Sequence, residues 1–235
     1  MTILAIDTSA ASISVAICKD NKIISACELN VKVTHSNTLM PIINFCLKSA
    51  NLTISDINAL ACTYGPGSFT GIRIGIATIK GLSLPGDIPC VPVSTLEAIA
   101  YPFKDSNKII CSVMDARCNQ FYNALFKSEC SNLIRLTLDN ALKCNEIIDI
   151  LKSEYMNEQI IIAGDGTDLF ANNCTKITNI SPANNSVKYQ NAKSVALIAE
   201  NKFINGEFLS AEELLPIYLR PSQAEREHEE RINKL

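Results

Sequence analysis

The sequence predicts an α/β fold made of two similar halves, and two matching units in the chain lead to this prediction. Each unit is an apolar strand that ends in an aspartate, followed by a turn and a second strand, and the units cover residues 3–17 and 109–126. Asp7 and Asp115 each stand eight positions before a residue of the second strand, Val15 and Asn123. Such self-similarity indicates a duplication, whereas the alternative is two unrelated hairpins that share an acid in the turn.

The predicted elements of the first half follow in order along the chain. A third strand at residues 23–29 completes a meander with the first hairpin. Apolar residues with helical spacing then occupy 39–50, and Pro41 marks either the start of this helix or a bend in it. The half is completed by a strand at 57–64, a helix from Ser68, a strand at 88–93 and a helix at 94–100, which Ser94 and Glu97 open as a capping box.

The second half opens on its own hairpin, at residues 109–115 and 121–126, and is followed by a charged tail. A strand at 160–166 leads through a glycine turn into a helix. Ser222, with Glu225 three residues later, caps a terminal helix that is charged nearly all round. We predict a first lobe at residues 1–103, a smaller second lobe at 104–209, and a C-terminal helical segment at 210–235 that packs back on the first lobe.

Composition and charge exclude several classes of protein. The 235 residues are 47% hydrophobic and 19% charged, with a formal net charge of −3, so no positive field would attract nucleic acid to the chain unaided. No segment is apolar over the roughly 18 residues that a membrane span requires. The N-terminal residues lack the basic and apolar regions of a signal peptide, and we therefore expect a cytoplasmic protein.

The ten cysteines stand singly in apolar runs and never as CxxC. This placement predicts reduced thiols that serve as small core residues. A metal site is not expected, because the cysteine spacing is unsuitable for zinc and the only histidines are His35 and His228.

The stretch YGPGSFTGIRIG at residues 64–75 raises the question of a phosphate loop, since a glycine turn at a helix start often binds phosphate. A P-loop needs lysine and then serine or threonine after its last glycine, but Ile72 and Arg73 follow Gly71. A dinucleotide-binding motif fails as well, because its third glycine stands one position late. The stretch is therefore not expected to hold a nucleotide phosphate.

On a helical wheel the helix from Ser68 has three sides. One side is a strip of mostly small residues: Ser68, Gly71, Gly75, Thr78 and Leu82. Beside it lies a bulky apolar strip of Phe69, Ile72, Ile76 and Ile79, and the charged residues Arg73 and Lys80 lie on the third side. We expect the bulky strip to pack on the sheet of its own lobe and the small strip to let another helix approach closely. The wheel leaves two interpretations open: a protein interface, or a helix buried within its own domain.

Polar residues in the hairpin turns are the other binding candidates. No glycine closely follows Asp7 to let a phosphate reach the backbone, so a structural turn is favoured over a phosphate or magnesium site. In the matching turn Arg117 would bind an anion or pair with an acid. His35 is interpreted as a helix-start residue. The candidates for weak nucleotide or anion contacts are Asp7, Thr8, Ser9, Asp115, Arg117, Gly164 and Gly166.

Six stretches, spread over nearly the whole chain, carry a resemblance to a known family: ILAIDTSAASISVAI, THSNTLMPII, GPGSFTGIRIGIATIKGLS, VSTLEAIA, VMDARCNQFYNALF and LLPIYLRPSQAERE. In this order they are similar to the bacterial TsaB (YeaZ) family of tRNA threonylcarbamoyladenosine biosynthesis proteins. The resemblance implies a two-lobed actin-like fold (ASKHA, ribonuclease H-like), in agreement with the predicted duplication.

The resemblance also implies a function without catalysis. TsaB is a scaffold for TsaD, the related subunit that holds the catalytic metal and transfers the threonylcarbamoyl group to the adenosine beside the tRNA anticodon. TsaE is an ATPase of the same assembly, tRNA is reached through the complex, and homodimers use the same surface as TsaD. TsaD-like proteins bind metal through two histidines four residues apart; Leu39 stands four residues after His35, so no metal or cofactor is implied.

By the same resemblance, the partner interface lies on the first lobe, in the helix that carries His35 and the helix that starts at Ser68. The implied interface residues are Leu39, Ile42, Ile43, Cys46, Ser68, Phe69, Gly71, Ile72, Arg73, Gly75, Ile76 and Lys80. The alternative function is an ATP-binding, actin-like kinase or hydrolase that uses the turns at Asp7 and Asp115. A peptidase is disfavoured, because the metal ligands are missing.

Overall fold

The computed structural model describes residues 1–30, 34–173 and 179–221, and its first half is built on a five-stranded sheet. The strands are β1 (Thr2–Asp7), β2 (Ile13–Lys19), β3 (Lys22–Leu29), β4 (Ala59–Gly65) and β5 (Cys90–Ser94). Their spatial order is β3-β2-β1-β4-β5, with β1 antiparallel to β2 and parallel to β4. The predicted meander and the two later strands are confirmed, with β4 beginning two residues after its predicted start.

The second half repeats this sheet. Its strands are β6 (Ile109–Asp115), β7 (Gln120–Glu129), β8 (Asn132–Arg135), β9 (Asn140–Lys143), β10 (Ile160–Ala163) and β11 (Ile180–Pro182). Read from the other edge, the order β11-β10-β6-β7-β8 corresponds strand by strand to that of the first sheet, with β6 antiparallel to β7 and parallel to β10. Strand β9 is a further partner of β7. The predicted duplication is therefore confirmed, since both sheets share one strand order and one pattern of directions.

Two helices cover one face of the first sheet. They are α1 (His35–Ser49) and α2 (Phe69–Ser83), and both bury apolar side chains in the cluster that contains Leu4, Ile17 and Leu60. Pro41 lies near the middle of α1, so the helix runs through it and does not start there. Ser68 caps α2 by accepting a hydrogen bond from the Gly71 N–H at 3.2 Å, where the sequence predicts the helix start.

The other face of the first sheet is covered by α6 (Ala192–Ile204). The helix can approach the sheet closely because the facing side chains are small. Ala192, Ala196 and Ala199 pack against Ala5 and Ala61. The predicted boundary assigned residues 104–209 to the second lobe, but this packing places α6 with the first. The chain thus returns to the first lobe before residue 209.

Helix α3 (Thr95–Ala100) links the two sheets. It follows β5 directly, and Leu96 and Ile99 are buried against β6 and β7 of the second sheet, where the Ser112 hydroxyl donates to the Leu96 carbonyl at 2.8 Å. Half of the predicted capping box is present, since the Ser94 hydroxyl accepts from the Glu97 N–H at 3.3 Å. The Glu97 carboxylate instead lies 3.7 Å from Arg135 Nη2. Two further α-helices in the described part of the chain, α4 (Cys144–Glu154) and α5 (Thr167–Asn173), belong to the second lobe.

The segment after α6 runs back along the first lobe. Leu209 and Cys90 exchange two backbone hydrogen bonds, of 2.8 and 2.9 Å, and Leu214 is fully buried in the core of the first lobe. Residues 210–221 of the predicted C-terminal segment form a turn and an irregular stretch. The helix predicted to begin at Ser222 lies outside the described residues.

Most of the described cysteines are core residues, as predicted; the buried ones are Cys18, Cys46, Cys62, Cys90, Cys111 and Cys144. Cys118 and Cys130 differ, because both are exposed in turns where the backbone takes positive φ. In the part of the chain that the structure describes, no helix is long and apolar enough to cross a membrane.

Candidate partner surface and interlobe cleft

The glycine turn of residues 64–68 packs against two backbone segments rather than against open space. A Cβ on Gly65 would collide with the Ile217 carbonyl, and one on Gly67 would collide with the Ser9 carbonyl. Both glycines also have φ in the positive region, at 135° and 155°, which other residues rarely adopt. Glycine is therefore required in this turn by packing within the chain.

The small strip of α2 is buried inside the first lobe. A Cβ on Gly71 would come far inside 3.0 Å of the Thr8 carbonyl oxygen, and one on Gly75 would lie 2.5 Å from Thr8 Oγ1. Thr8 Oγ1 also donates to the Gly71 carbonyl at 2.7 Å. The expectation that these glycines admit a partner helix is thus corrected: they admit the end of β1. The bulky strip packs on its own sheet as predicted, with Ile72 and Ile79 fully buried.

The same correction applies to α1. Its implied interface residues are core residues, namely Leu39, Ile42, Ile43 and Cys46, each at most 4% exposed. On α2, Ile76 is only 5% exposed and joins them, while Ser68 and Arg73 are exposed and Phe69 and Lys80 half-buried. Apolar spacing identified the inner faces of both helices, which are the faces that their own sheet covers.

The outer faces of the two helices are the exposed ones, and we call them together the outer face. On α1 it comprises Met40, Pro41, Asn44 and Phe45, with Met40 40% and Phe45 57% exposed. On α2 it comprises Arg73, Ala77 and Gly81, which recur every four residues and so form one stripe. A Cβ on Gly81 would meet nothing within 4 Å, in contrast to Gly71 and Gly75.

One cluster of rings borders the outer face where α2 begins. The rings of Phe69 and Tyr218 stack with centroids 4.2 Å apart, and the Arg73 guanidinium lies 3.9 Å from the centre of the Phe69 ring. Arg73 Nε also donates to Tyr218 Oη at 2.7 Å. Tyr218 was missed by the sequence analysis, because only the folded chain brings it next to residues 145 positions away.

Asp7 is held by the first hairpin turn and its neighbouring strand. Its Oδ1 accepts from the Ser9 N–H at 3.0 Å, the Ser9 hydroxyl at 2.7 Å and the Thr63 hydroxyl at 2.7 Å. Burial raises the pKa of the Asp7 carboxyl above its usual value, and these hydrogen bonds oppose the rise. The favoured interpretation of the sequence, a structural turn, agrees with these bonds.

The first turn does not fit a nucleotide phosphate. Phosphate-binding loops present open backbone N–H groups, but here the Ser9 carbonyl faces the glycine turn and accepts from the Ser68 N–H at 2.7 Å. Thr8 and Ser9 are each only 1% exposed. A phosphate at this turn would therefore not find open N–H groups of Thr8 or Ser9.

A cleft of about 610 Å³ lies between the two lobes. Both hairpin turns, the glycine turn and residues 217–221 line it, and the carboxyls of Asp115 and Asp165 lie in its wall. The Asp115 N–H donates to Asp165 Oδ1 at 3.2 Å, and Asp115 Oδ1 accepts from the Arg117 N–H at 2.7 Å. Desolvation, with a smaller contribution from the nearby Asp115 charge, raises the pKa of Asp165 to about 6.

The remaining predicted residues have structural contacts. A Cβ on Gly164 would collide with the Val113 carbonyl, and one on Gly166 would lie 3.0 Å from the Phe121 ring. His35 is the first residue of α1, and its Nε2 is 3.0 Å from the Ala10 carbonyl oxygen. Among the described residues no group of three or more potential ligands is arranged to hold a metal ion.

Arg220 is a second residue of the cleft that the sequence analysis missed. Its Nη1 donates to the carbonyls of Ala116 and Arg117, the latter at 3.1 Å. The motif PIYLRP contains it, but only the fold shows that it reaches the turn of the second lobe.

Comparisons of sequence point to one family. A family model described as "TsaD: tRNA N6-adenosine threonylcarbamoyltransferase" matches residues 30–228. The "tRNA threonylcarbamoyladenosine biosynthesis protein TsaB" of Escherichia coli is 30% identical over 226 residues, which cover 95% of this chain and 96% of that protein. The Bacillus subtilis protein of the same name is 27% identical, with 96% of both chains covered.

Comparisons of structure agree on the fold. "YeaZ from Pseudomonas aeruginosa" has a TM-score of 0.80 at 23% identity and covers 93% of this chain and 99% of that chain. The (R)-2-hydroxyglutaryl-CoA dehydratase component A of Acidaminococcus fermentans has a TM-score of 0.54 at 11% identity and covers 86% of this chain and 98% of that chain. With the matching sheet orders, these likenesses confirm the two-lobed actin-like fold.

Proposed function

Because this chain belongs to the TsaB family of tRNA threonylcarbamoyladenosine biosynthesis proteins, we propose that it serves this pathway as a non-catalytic subunit that binds TsaD. The outer face of α1 and α2 is the docking surface. The observation that carries the proposal is the exposure of Met40 and Phe45 on α1 beside the small exposed residues Ala77 and Gly81 on α2, on helices whose inner faces are already buried.

The chemistry of the outer face suits a helical partner. Phe45 and Met40 offer exposed apolar area on α1, and large exposed apolar patches mark interaction sites. On α2, Ala77 and Gly81 are small enough to let a partner helix approach the backbone closely. Arg73 lies at the edge of the ring cluster, where an acidic side chain of the partner could pair with it.

The absence of catalysis is supported by how the candidate groups are engaged. Leu39, four residues after His35, is packed in the core at 1% exposure. The Asp7 carboxylate is hydrogen-bonded within its own turn and to β4, and the backbone beside it is closed. A subunit built in this way supplies a surface and leaves the transfer reaction to its partner.

The outer face would also be the contact surface of a homodimer. A second copy of the chain would use the outer face when TsaD is absent, so a homodimer and the TsaD complex exclude each other. TsaE joins the larger assembly, and tRNA is reached through the complex in the cytoplasm.

The test is co-elution with TsaD in gel filtration, comparing the wild-type protein with Gly81→Leu. The added side chain should block the close approach of a partner helix and abolish co-elution, while the thermal unfolding curve stays near that of the wild type because Gly81 borders open space. Lys152→Leu is the matched control, since it places the same exposed leucine on α4 of the second lobe and should leave co-elution unchanged.

The outcomes separate the parts of the proposal. A wild-type protein that does not co-elute with TsaD would refute the scaffold function. Undiminished co-elution of Gly81→Leu would remove the outer face from the interface. Threonylcarbamoyl transfer by the isolated chain, or micromolar ATP binding that Asp7→Ala abolishes, would favour an enzyme of the actin-like class instead.

A further inference from the structure

The two lobes are joined covalently at two neighbouring crossings. The first follows β5 through α3, and the second leads from β11 back to α6, and these two helices contact each other. Two adjacent crossings leave hinge motion available to a two-lobed protein, because a few residues can absorb the change in backbone angles. Beside the crossings the motion is restrained by α3, since Leu96 and Ile99 are buried against the second sheet. A restraint across the cleft itself would be a third connection.

Residues 209–218 are fastened to the first lobe at several points. Leu209 pairs with Cys90, the fully buried Leu214 lies in the first core cluster, and the Ile217 N–H donates to the Tyr64 carbonyl at 2.8 Å. Tyr218 adds its ring stack on Phe69. This segment is therefore a fixed part of the first lobe.

Two residues further on, the same segment reaches the second lobe. Arg220 Nη1 donates to the carbonyls of Ala116 and Arg117, which belong to the turn between β6 and β7. The Ala116 N–H donates to the Gln120 carbonyl, and the Gln120 N–H donates to the Arg117 carbonyl. Hydrogen bonds within the turn therefore hold the two carbonyls that Arg220 contacts. Hydrogen bonds from a charged donor are the stronger kind.

We propose that residues 209–220 form a strap that holds the two lobes in one orientation across the cleft, and that Arg220 is its fastening residue. The chain then acts as a rigid body in which the cleft does not open and close. This assigns a role to the PIYLRP motif that partner binding does not explain, and it does not depend on the proposed function.

The test measures the distance between the lobes in the isolated protein by double electron–electron resonance. Spin labels enter as genetically encoded residues at the exposed positions Lys22, in the first lobe, and Lys152, in the second. The wild type should give one narrow distance distribution, and Arg220→Met should give a broader one. Lys127→Met, which removes a surface charge bonded within its own strand, is the control and should stay narrow.

The result can overturn the proposal directly. If Arg220→Met keeps a distribution as narrow as that of the wild type, the strap does not fix the lobes. If Arg220→Met fails to fold by circular dichroism, Arg220→Gln takes its place, since the glutamine amide nitrogen ends two bonds short of the position of Nη1. A distribution of wild-type width for Arg220→Gln, with the label pair unchanged, would likewise exclude Arg220 as the fastening residue.

Discussion

Replacing Gly71 by alanine tests whether the small strip of α2 faces the chain itself. The added methyl group would come far inside 3.0 Å of the Thr8 carbonyl oxygen, which is a backbone atom and cannot rotate away. Helix α2 would therefore have to shift away from the end of β1. The shift would also strain the buried hydrogen bond from Thr8 Oγ1 to the Gly71 carbonyl, now 2.7 Å long.

The expected loss follows from three contributions. Overpacking of a close contact costs about 1–3 kcal/mol, and weakening the buried hydrogen bond costs about 1 kcal/mol. Alanine returns at most about 1 kcal/mol of helix propensity relative to glycine. The free energy of unfolding should therefore fall by about 2 kcal/mol, which corresponds to roughly 4–8 °C in the midpoint for a chain of this length.

The assay is urea unfolding followed by circular dichroism at the helix band, with Gly81→Ala as the matched control on the same helix. A Cβ on Gly81 meets nothing within 4 Å, so this variant should gain stability, by at most about 1 kcal/mol. If Gly71→Ala were as stable as Gly81→Ala, the space beside Thr8 would be open, and the assignment of Gly71 to the interior of the lobe would fail.

Two further predictions concern buried or cleft carboxylates. The pKa of Asp165 is raised from 3.8 to about 6, so the folded protein binds this proton more tightly than the unfolded chain. The free energy of unfolding should therefore decrease as pH rises between these two values. Asp165→Asn should flatten this dependence and be more stable than the wild type at neutral pH, as measured by melting temperature against pH. Glu200, 4% exposed on α6, accepts from the Asn21 N–H at 2.8 Å and the Cys18 thiol at 3.0 Å. Glu200→Ala should lower the free energy of unfolding by about 2 kcal/mol, while Glu200→Gln keeps one acceptor oxygen and should lose less; equal losses in urea unfolding would mean that these hydrogen bonds contribute nothing measurable.

The strands of the first sheet and the hairpin of β6 and β7 were predictable because their signal is local. An apolar run closed by an acid and a turn marks each hairpin within about fifteen residues, and the repetition of that unit revealed the two halves. Helix α6 gave no comparable signal. It packs through alanines, whose burial depends on alanines of β1 and β4 that stand far away in the chain.

The sequence analysis placed the partner surface on the inner faces of α1 and α2, whereas the exposed area of these helices lies on their outer faces. Apolar spacing identifies a face that is buried in something, and it does not distinguish the chain's own sheet from another protein. Gly71 and Gly75 illustrate this, since a small-residue strip suits either a partner helix or the end of β1. The neighbour that decided between them, Thr8, is 63 residues away from Gly71.

The sequence by itself determined the duplicated α/β architecture, the failure of the phosphate-loop motifs and the family resemblance, because each depends on residues close together or on an ordered set of matching stretches. Only the tertiary structure decided that α2 turns its glycines inward and its Ala77–Gly81 stripe outward, and that Arg220 reaches a turn of the other lobe about a hundred positions earlier. Such contacts join segments that the chain brings together only on folding, and no local pattern of side chains encodes which segment will be the neighbour.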